Sequence, residues 1–310
     1  MPTLDVPGYL RRLGVTDPGP PSIDALRALH AAHSTRIPYE TLEIHLGRPT
    51  TVDPYESADR IVRRRRGGYC YHLNGAFSVL LRALGYRVSW HRGGVQRHGG
   101  EPGITANHLA LTVAGLPDPD QPAGDWFVDV GLGDALYQPL PLRAGTYLQS
   151  GFGYRLTGSD LAPGGWRFDH DPSGGFAGMD FEPGIATVDD FAPMHEWLST
   201  APESGFVRML TAQRRHATGV DIVRGCTLTT FTATARHNRE LTTATEWFSV
   251  LADLFGLDLA DVPAPERAAL WSRTRAAHDT WLAEQAAVSD AEQVIGDPAA
   301  GGHDSVTELI

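Results

Sequence analysis

The densest chemistry in the 310-residue sequence lies in Arg65-Arg66-Gly67-Gly68-Tyr69-Cys70-Tyr71-His72-Leu73-Asn74-Gly75. The two glycines allow backbone to approach closely, and Cys70 then falls on the first turn of a helix. Leu73, Phe77, Leu80, Leu81 and Leu84 recur on one face of that helix, which stops at Gly85. Free N–H groups on a first turn, together with the helix dipole, favour thiolate over thiol. Thiolate is the species that attacks an acyl carbonyl, and the same N–H groups suit the oxyanion that forms. Taken alone, the segment fits a buried structural cysteine equally well.

Two later segments supply partners. In Asn107-His108-Leu109-Ala110-Leu111-Thr112-Val113 a histidine heads a strand, and alternation turns it away from the face shared by Leu109, Leu111 and Val113. In Trp126-Phe127-Val128-Asp129-Val130-Gly131-Leu132-Gly133 one acid stands among apolar residues. A buried carboxylate there needs a partner to offset its desolvation, and an imidazole N–H serves. A turn closed by the aspartate before the Gly-x-Gly is the plainer reading. Nucleophile, base and orienting acid together describe covalent acyl transfer.

The surrounding elements have to position these groups. Ser22 is placed to cap a helix with Ile23, Leu26 and Leu29 at helical spacing, and Ala58, Ile61 and Val62 mark a second before Arg63 to Arg66. From Arg87 the texture changes to short apolar runs between Gly, Pro and Asp turns, as in Leu109–Val113, Trp126–Val130 and Trp166–His170. A connecting helix is expected from Phe191 to Leu198, a Thr-rich strand from Cys226 to Ala235, and helices over Thr242–Phe255 and Pro265–Ala287. The glycine-rich stretch Gly93 to Gly103 reads as a flexible loop, and Ser289 to Ile310 as a disordered tail.

The bulk properties exclude several classes. All 26 basic residues are Arg against 37 acids, so the net charge of −11 disfavours nucleic acid and acidic membranes as partners. No run approaches the roughly 20 apolar residues of a membrane span, and the start lacks the order of a signal peptide. Two cysteines, Cys70 and Cys226, make no disulfide framework, so a cytoplasmic location is the expectation. Cys70-x-His72 and His30-x-x-His33 lack zinc spacing, and no metal site is expected.

The sequence resembles the arylamine N-acetyltransferase family on several ordered segments. These are Tyr9-Leu10-Arg11-Arg12-Leu13-Gly14, Arg36-Ile37-Pro38-Tyr39-Glu40-Thr41-Leu42, Arg66-Gly67-Gly68-Tyr69-Cys70 with Asn74, and the contexts of His108 and Asp129. The resemblance implies an α+β fold on a cysteine-protease-like Cys-His-Asp core. Its parts are a helical bundle over 1–90, a β-barrel over 91–205 and an α/β lid over 206–288, with the tail at 289–310. It implies a triad of Cys70, His108 and Asp129 and a ping-pong transfer from acetyl-CoA or another acyl-CoA to an arylamine or hydrazine. Acyl-CoA would be a co-substrate, with no permanently bound cofactor. Tyr39 and Leu132 match amine-pocket positions, and Arg12, Glu40 and Arg66 a buried charge cluster. His72 departs from the usual Gln or Glu and stands either as a surface residue or as the mark of an altered donor or acceptor site.

Three other readings stay open at this level. An amide synthase of the same family would take a polyketide acyl chain from an acyl carrier protein. A cysteine hydrolase would use water as acceptor, and a non-catalytic binding protein would merely retain the triad.

Overall fold

Polar caps start the front helices, Ser22 among them as the sequence predicts. The computed structural model describes residues 3–119 and 121–295. Asp5 accepts the Gly8 N–H at 2.8 Å to begin α1 (Val6–Leu13). Ser22 Oγ accepts the Ala25 N–H at 3.2 Å to begin α2 (Ile23–Arg36). After β1 (Tyr39–Glu40) and the short α3 (Leu42–His45), Asp53 caps α4 (Pro54–Arg63), with Pro54 on its first turn. α5 (Cys70–Ala83) then runs through the middle of this group.

The sequence gives α5 one apolar face, yet every residue from Cys70 to Leu81 is buried. The helix is covered by α4 on one side and by strands β2 (Arg87–Gln96) and β3 (His108–Ala114) on the other. A helix enclosed in this way needs its polar residues satisfied internally. Ser78 donates to the Gly75 carbonyl at 2.7 Å, and Asn74 is used in the site described below.

β2 and β3 belong to an eight-stranded antiparallel sheet that rolls into a nearly closed barrel. Its other members are β4 (Trp126–Val128), β5 (Leu140–Pro141), β6 (Gly145–Gln149), β7 (Phe152–Gly158), β8 (Trp166–Asp169) and β9 (Gly178–Phe181). The order is β5-β4-β3-β2-β9-β8-β7-β6. Alternation along β3 sends Leu109, Leu111 and Val113 into the core shared with the helices, while Ala110 enters the core inside the barrel with Phe127, Phe168 and Phe181. The expected flexible loop at Gly93 to Gly103 begins as strand. Gly93 to Gln96 pair with β9, and the Asn107 side chain binds both the N–H and the C=O of Val95, at 2.8 and 3.1 Å.

α6 (Ala192–Thr200) and α7 (Gly205–Arg208) lead to a second antiparallel sheet of β10 (Thr211–His216), β11 (Gly219–Arg224), β12 (Thr227–Phe231) and β13 (Arg236–Glu240). Its fifth strand comes from the front of the chain: β1 pairs with β10, Tyr39 opposite Gln213 and Glu40 opposite Ala212. α8 (Ala244–Phe255) and α9 (Ala264–Ile295) pack behind this sheet through Trp247, Leu251 and Leu270. The helix continues to Ile295, so the first part of the expected disordered tail is helical; 296–310 lie outside the described residues.

Candidate active site

Cys70 occupies the first position of α5, with Tyr69 as N-cap. The turn before it is tight: a Cβ on Gly67 would stand 1.8 Å from the Pro38 carbonyl oxygen, so only glycine fits there. His72 secures the start of the helix by accepting the Tyr69 N–H on Nδ1 at 3.2 Å. That is half of a capping box, and a Gln or Glu at the same position performs it equally well. His72 is therefore neither a surface residue nor part of a substrate site. It is buried against the rings of Tyr69 and His195, and that burial, before the nearby Arg60, holds its pKa well below the usual histidine range.

The structure brings the three sequence-predicted groups into one line. His108 Nε2–H donates to Asp129 Oδ2 at 2.7 Å, and the Cys70 sulfur lies near enough to the ring to act on its charge. Burial opposes a charge on the imidazole, but the Asp129 carboxylate and then the sulfur outweigh it, and the His108 pKa is pushed up to about 10. Cys70 Sγ also reaches the Asn107 carbonyl at 3.5 Å.

Asp129 lies just past the end of β4 and uses both of its oxygens. Oδ2 holds His108, while Oδ1 accepts the Gly131 N–H at 2.9 Å and Asn74 Nδ2 at 2.8 Å. This aspartate therefore closes its turn and holds the His108 ring at the same time. Asn74 joins the elements by also donating to the Leu109 carbonyl at 2.7 Å and accepting the Val130 N–H at 2.9 Å. A Cβ on Gly131 would meet the Cys70 Cα at 2.8 Å, so this glycine lets the turn lie against the start of α5.

His30 ties α2 to the same turn. Its Nε2 is 3.0 Å from the Asp129 carbonyl and its Nδ1 3.0 Å from that of Tyr137. Burial holds its pKa down to about 4, against the pull of those carbonyls and of Asp129. Sequence reasoning gave His30 no part in the site. The i, i+3 spacing with His33 marked the two histidines without showing what either touches.

The expected charge cluster is recomposed. Glu40 and Arg66 do share a buried region, but Arg66 pairs with Glu43 at 3.5 Å and with Asp261, while Arg60 donates to the Gly67 carbonyl at 3.4 Å. Glu40 accepts the Leu42 N–H at 2.6 Å; desolvation and then Glu43 raise its pKa against Arg60 and Arg66. Arg12 is not a member. Its guanidinium lies with Arg36 and Arg65, and burial followed by Arg65 lowers its pKa to about 10. Arg60 takes the place expected of Arg12, because α4 rather than α1 runs beside the Gly67 turn.

Cys70 and His108 open onto a cleft of about 410 Å³, walled by Tyr39, Leu132 and Phe206 among others. Both residues matched to the amine pocket thus line it. Gln213, Ile222, Arg224 and Thr229 close it from the second sheet. Among the described residues no three His, Cys, Asp or Glu side chains group as metal ligands, and no helix is long and apolar enough to cross a membrane.

The N-acetyltransferase family model matches residues 22–263. The arylamine N-acetyltransferase of Mycolicibacterium smegmatis is 33% identical over 275 residues, covering 84% of this chain and 94% of that protein. The chain belongs to the arylamine N-acetyltransferase family. It is accordingly an enzyme of the acyltransferase class. The arylamine N-acetyltransferase of Mycobacterium marinum, solved in complex with CoA, superposes with a TM-score of 0.78 at 29% identity, over 88% of this chain and 99% of that one. A proansamycin X synthase from Amycolatopsis mediterranei is 31% identical over 162 residues, covering 50% of this chain and 59% of that protein. The α+β architecture with a Cys-His-Asp core is the architecture of the arylamine N-acetyltransferases.

Proposed function

We propose that this enzyme moves an acetyl group from acetyl-CoA to the nitrogen of an arylamine or hydrazine through an acyl-Cys70 intermediate. The observation that carries the reading is the continuous line from Asp129 through His108 to Cys70 at the floor of a cleft. With its proton held by His108, the sulfur attacks the thioester carbonyl as thiolate. The tetrahedral intermediate collapses, the C–S bond to coenzyme A breaks, and His108 returns a proton to the departing thiolate. The amine then attacks the acyl-cysteine, gives its proton to His108, and Cys70 leaves. Asp129 keeps the ring oriented and stabilises the imidazolium throughout, without taking a proton itself. Tyr39, Leu132 and Phe206 form the apolar wall for an aromatic amine.

Incubation with acetyl-CoA followed by intact-mass and peptide analysis tests this. The expected result is one acetyl group on Cys70, none on Cys226, and discharge of the adduct by an arylamine. Label on Cys226, or label persisting in Cys70→Ala, removes Cys70 as the nucleophile. Cys226 is a poor competitor because burial pushes its thiol up to about 11.

The similarity to proansamycin X synthase over half of the chain supports a second reading. In it the same triad receives a polyketide acyl chain from an acyl carrier protein. Rates of Cys70 acylation from acetyl-CoA and from a carrier-bound acyl thioester separate the two. We place the enzyme in the cytoplasm, consistent with use of a thiol nucleophile under reducing conditions.

A further inference from the structure

The wall assigned to the amine carries two polar groups that the chemistry at Cys70 does not use. β1 and β10 pair antiparallel with Tyr39 opposite Gln213, and opposite residues of such a pair project from the same face. Both side chains line the Cys70 cleft, beside Leu132 and Phe206. The Tyr39 hydroxyl and the Gln213 amide make no hydrogen bond with a described residue, and neither is among the buried polar atoms left without a partner. Both therefore reach open space.

The surroundings fix what these groups offer. The Tyr39 ring meets Phe206 edge-on, with centroids 6.2 Å apart and planes at 78°. Burial first, then the Cys70 sulfur, Tyr69 and Asp134, push the Tyr39 phenol well above the usual tyrosine range. The hydroxyl thus keeps its proton and stays both donor and acceptor. Gly133, in the left-handed region at φ 72°, lets the Gln213 amide lie against it, since an added Cβ would stand 2.4 Å from Oε1. Tyr39, Leu132 and Gln213 also border a hollow of about 10 Å³ with Ser34 and Gly133, room for one water-sized group.

We propose that Tyr39 and Gln213 select acceptor arylamines whose ring carries a hydroxyl or a second amino group. A substituent of that size and chemistry hydrogen-bonds with the phenol and the amide. A methyl group in its place leaves both of them facing an apolar surface, unpaired. The proposal rests on the reading of this wall as the amine site for acetyl transfer from Cys70.

Rates of acetyl transfer from acetyl-CoA to para-aminophenol and para-toluidine, and to the two meta isomers, test it in the full chain. The amines of each pair are close in size and basicity, so the ratio of their kcat/KM values reads the substituent. A loss common to both amines cancels in that ratio. The wild type is expected to favour the aminophenol ~10-fold or more in at least one pair, as two neutral hydrogen bonds would give. Tyr39→Phe and Gln213→Leu should each lower the ratio ~3–10-fold. A ratio near one for both wild-type pairs overturns the proposal, and so does the same ratio in all three proteins. Calorimetric titration of Cys70→Ala with the same amines separates recognition from chemistry. A preference for the aminophenol that Tyr39→Phe removes, with no turnover in the wild type, defeats the acetyl-transfer reading and leaves the polar wall assigned. Equal binding of the two amines there overturns the wall itself.

Discussion

The enzyme buries two histidine–aspartate pairs beside the same cleft. His108 and Asp129 meet at 2.7 Å in a hydrogen bond, and the other side of the imidazole faces the Cys70 sulfur. His170 and Asp134 approach only to 3.4 Å, and His170 Nδ1 is taken by the Asp171 carbonyl at 3.0 Å. Asp134 spends its second oxygen on the Gly175 N–H at 2.6 Å, and His170 packs edge-on against Phe176 with centroids 4.4 Å apart. The second pair thus clamps the loop at 174–176, part of the cleft wall. The two pairs share residue types and burial. What separates them is the atom on the free side of the ring, a sulfur in one case and a peptide oxygen in the other. A buried His–Asp pair marks a base only when something that can lose a proton lies beyond it.

This difference has measurable consequences, the largest at the imidazoles themselves. His108→Gln is expected to reduce kcat/KM by ~10³-fold or more, as loss of the base does in comparable triads. His170→Gln should change kcat less than ~5-fold and instead lower the melting temperature. Comparable activity losses in the two variants would mean that both pairs serve the reaction.

The carboxylates come next. Asp129→Asn should cost ~10²–10⁴-fold in kcat, because an amide cannot stabilise the imidazolium. Asp134→Asn should act mainly on KM for the amine, through the released loop. Steady-state kinetics with one arylamine distinguishes the two, and a pure KM effect at Asp129 would contradict its orienting role. Asn74→Ala removes donors and an acceptor from Asp129, Leu109 and Val130. It should lower stability by about 1–3 kcal/mol in denaturant titration and reduce kcat in parallel. Stability lost with kcat unchanged would show that Asp129 stays in place unaided.

The smallest effects are in pH dependence, and the two histidines of the site have opposite signs. His108, raised to about 10 from an ordinary 6.5, contributes stability that is complete below 6.5 and lost as pH rises through 10. His30, lowered to about 4, contributes stability that is present above 6.5 and lost as pH falls through 4. Melting temperatures of His108→Gln and His30→Gln, each compared with the wild type, should therefore converge with it at opposite ends of the pH range. Gaps that stay constant from pH 4 to 10 would remove both assignments.

The elements carrying the triad are legible from local patterning. Leu73, Phe77 and Leu80 announce α5, alternation along Leu109 to Val113 announces β3, and the cap at Ser22 announces α2. What stays hidden depends on contacts between distant segments. β1 is a pair of residues whose partner, β10, lies far along the chain, and no periodicity reveals a strand that short. Arg60 looks like one more residue on a helix surface until α4 is seen beside the Gly67 turn, and Asp261 reaches Arg66 from behind the second sheet. The role of His72 was concealed by its type, since capping boxes are sought with Glu or Gln at that position. His30 and Asn74 act through backbone groups of the Asp129 turn, which sequence spacing does not address.

The exchange of β1 into the second sheet also sets an order of events during synthesis. Thr211 N–H donates to Thr41 Oγ1 across 170 residues, and Tyr39 is fixed opposite Gln213. Cys70 and its imidazole leave the ribosome long before the strands that complete the wall beside Tyr39. The wall of the cleft beside Tyr39 therefore cannot be completed until the strand at 211–216 has been made, when Cys70, His108 and Asp129 are all already on the chain.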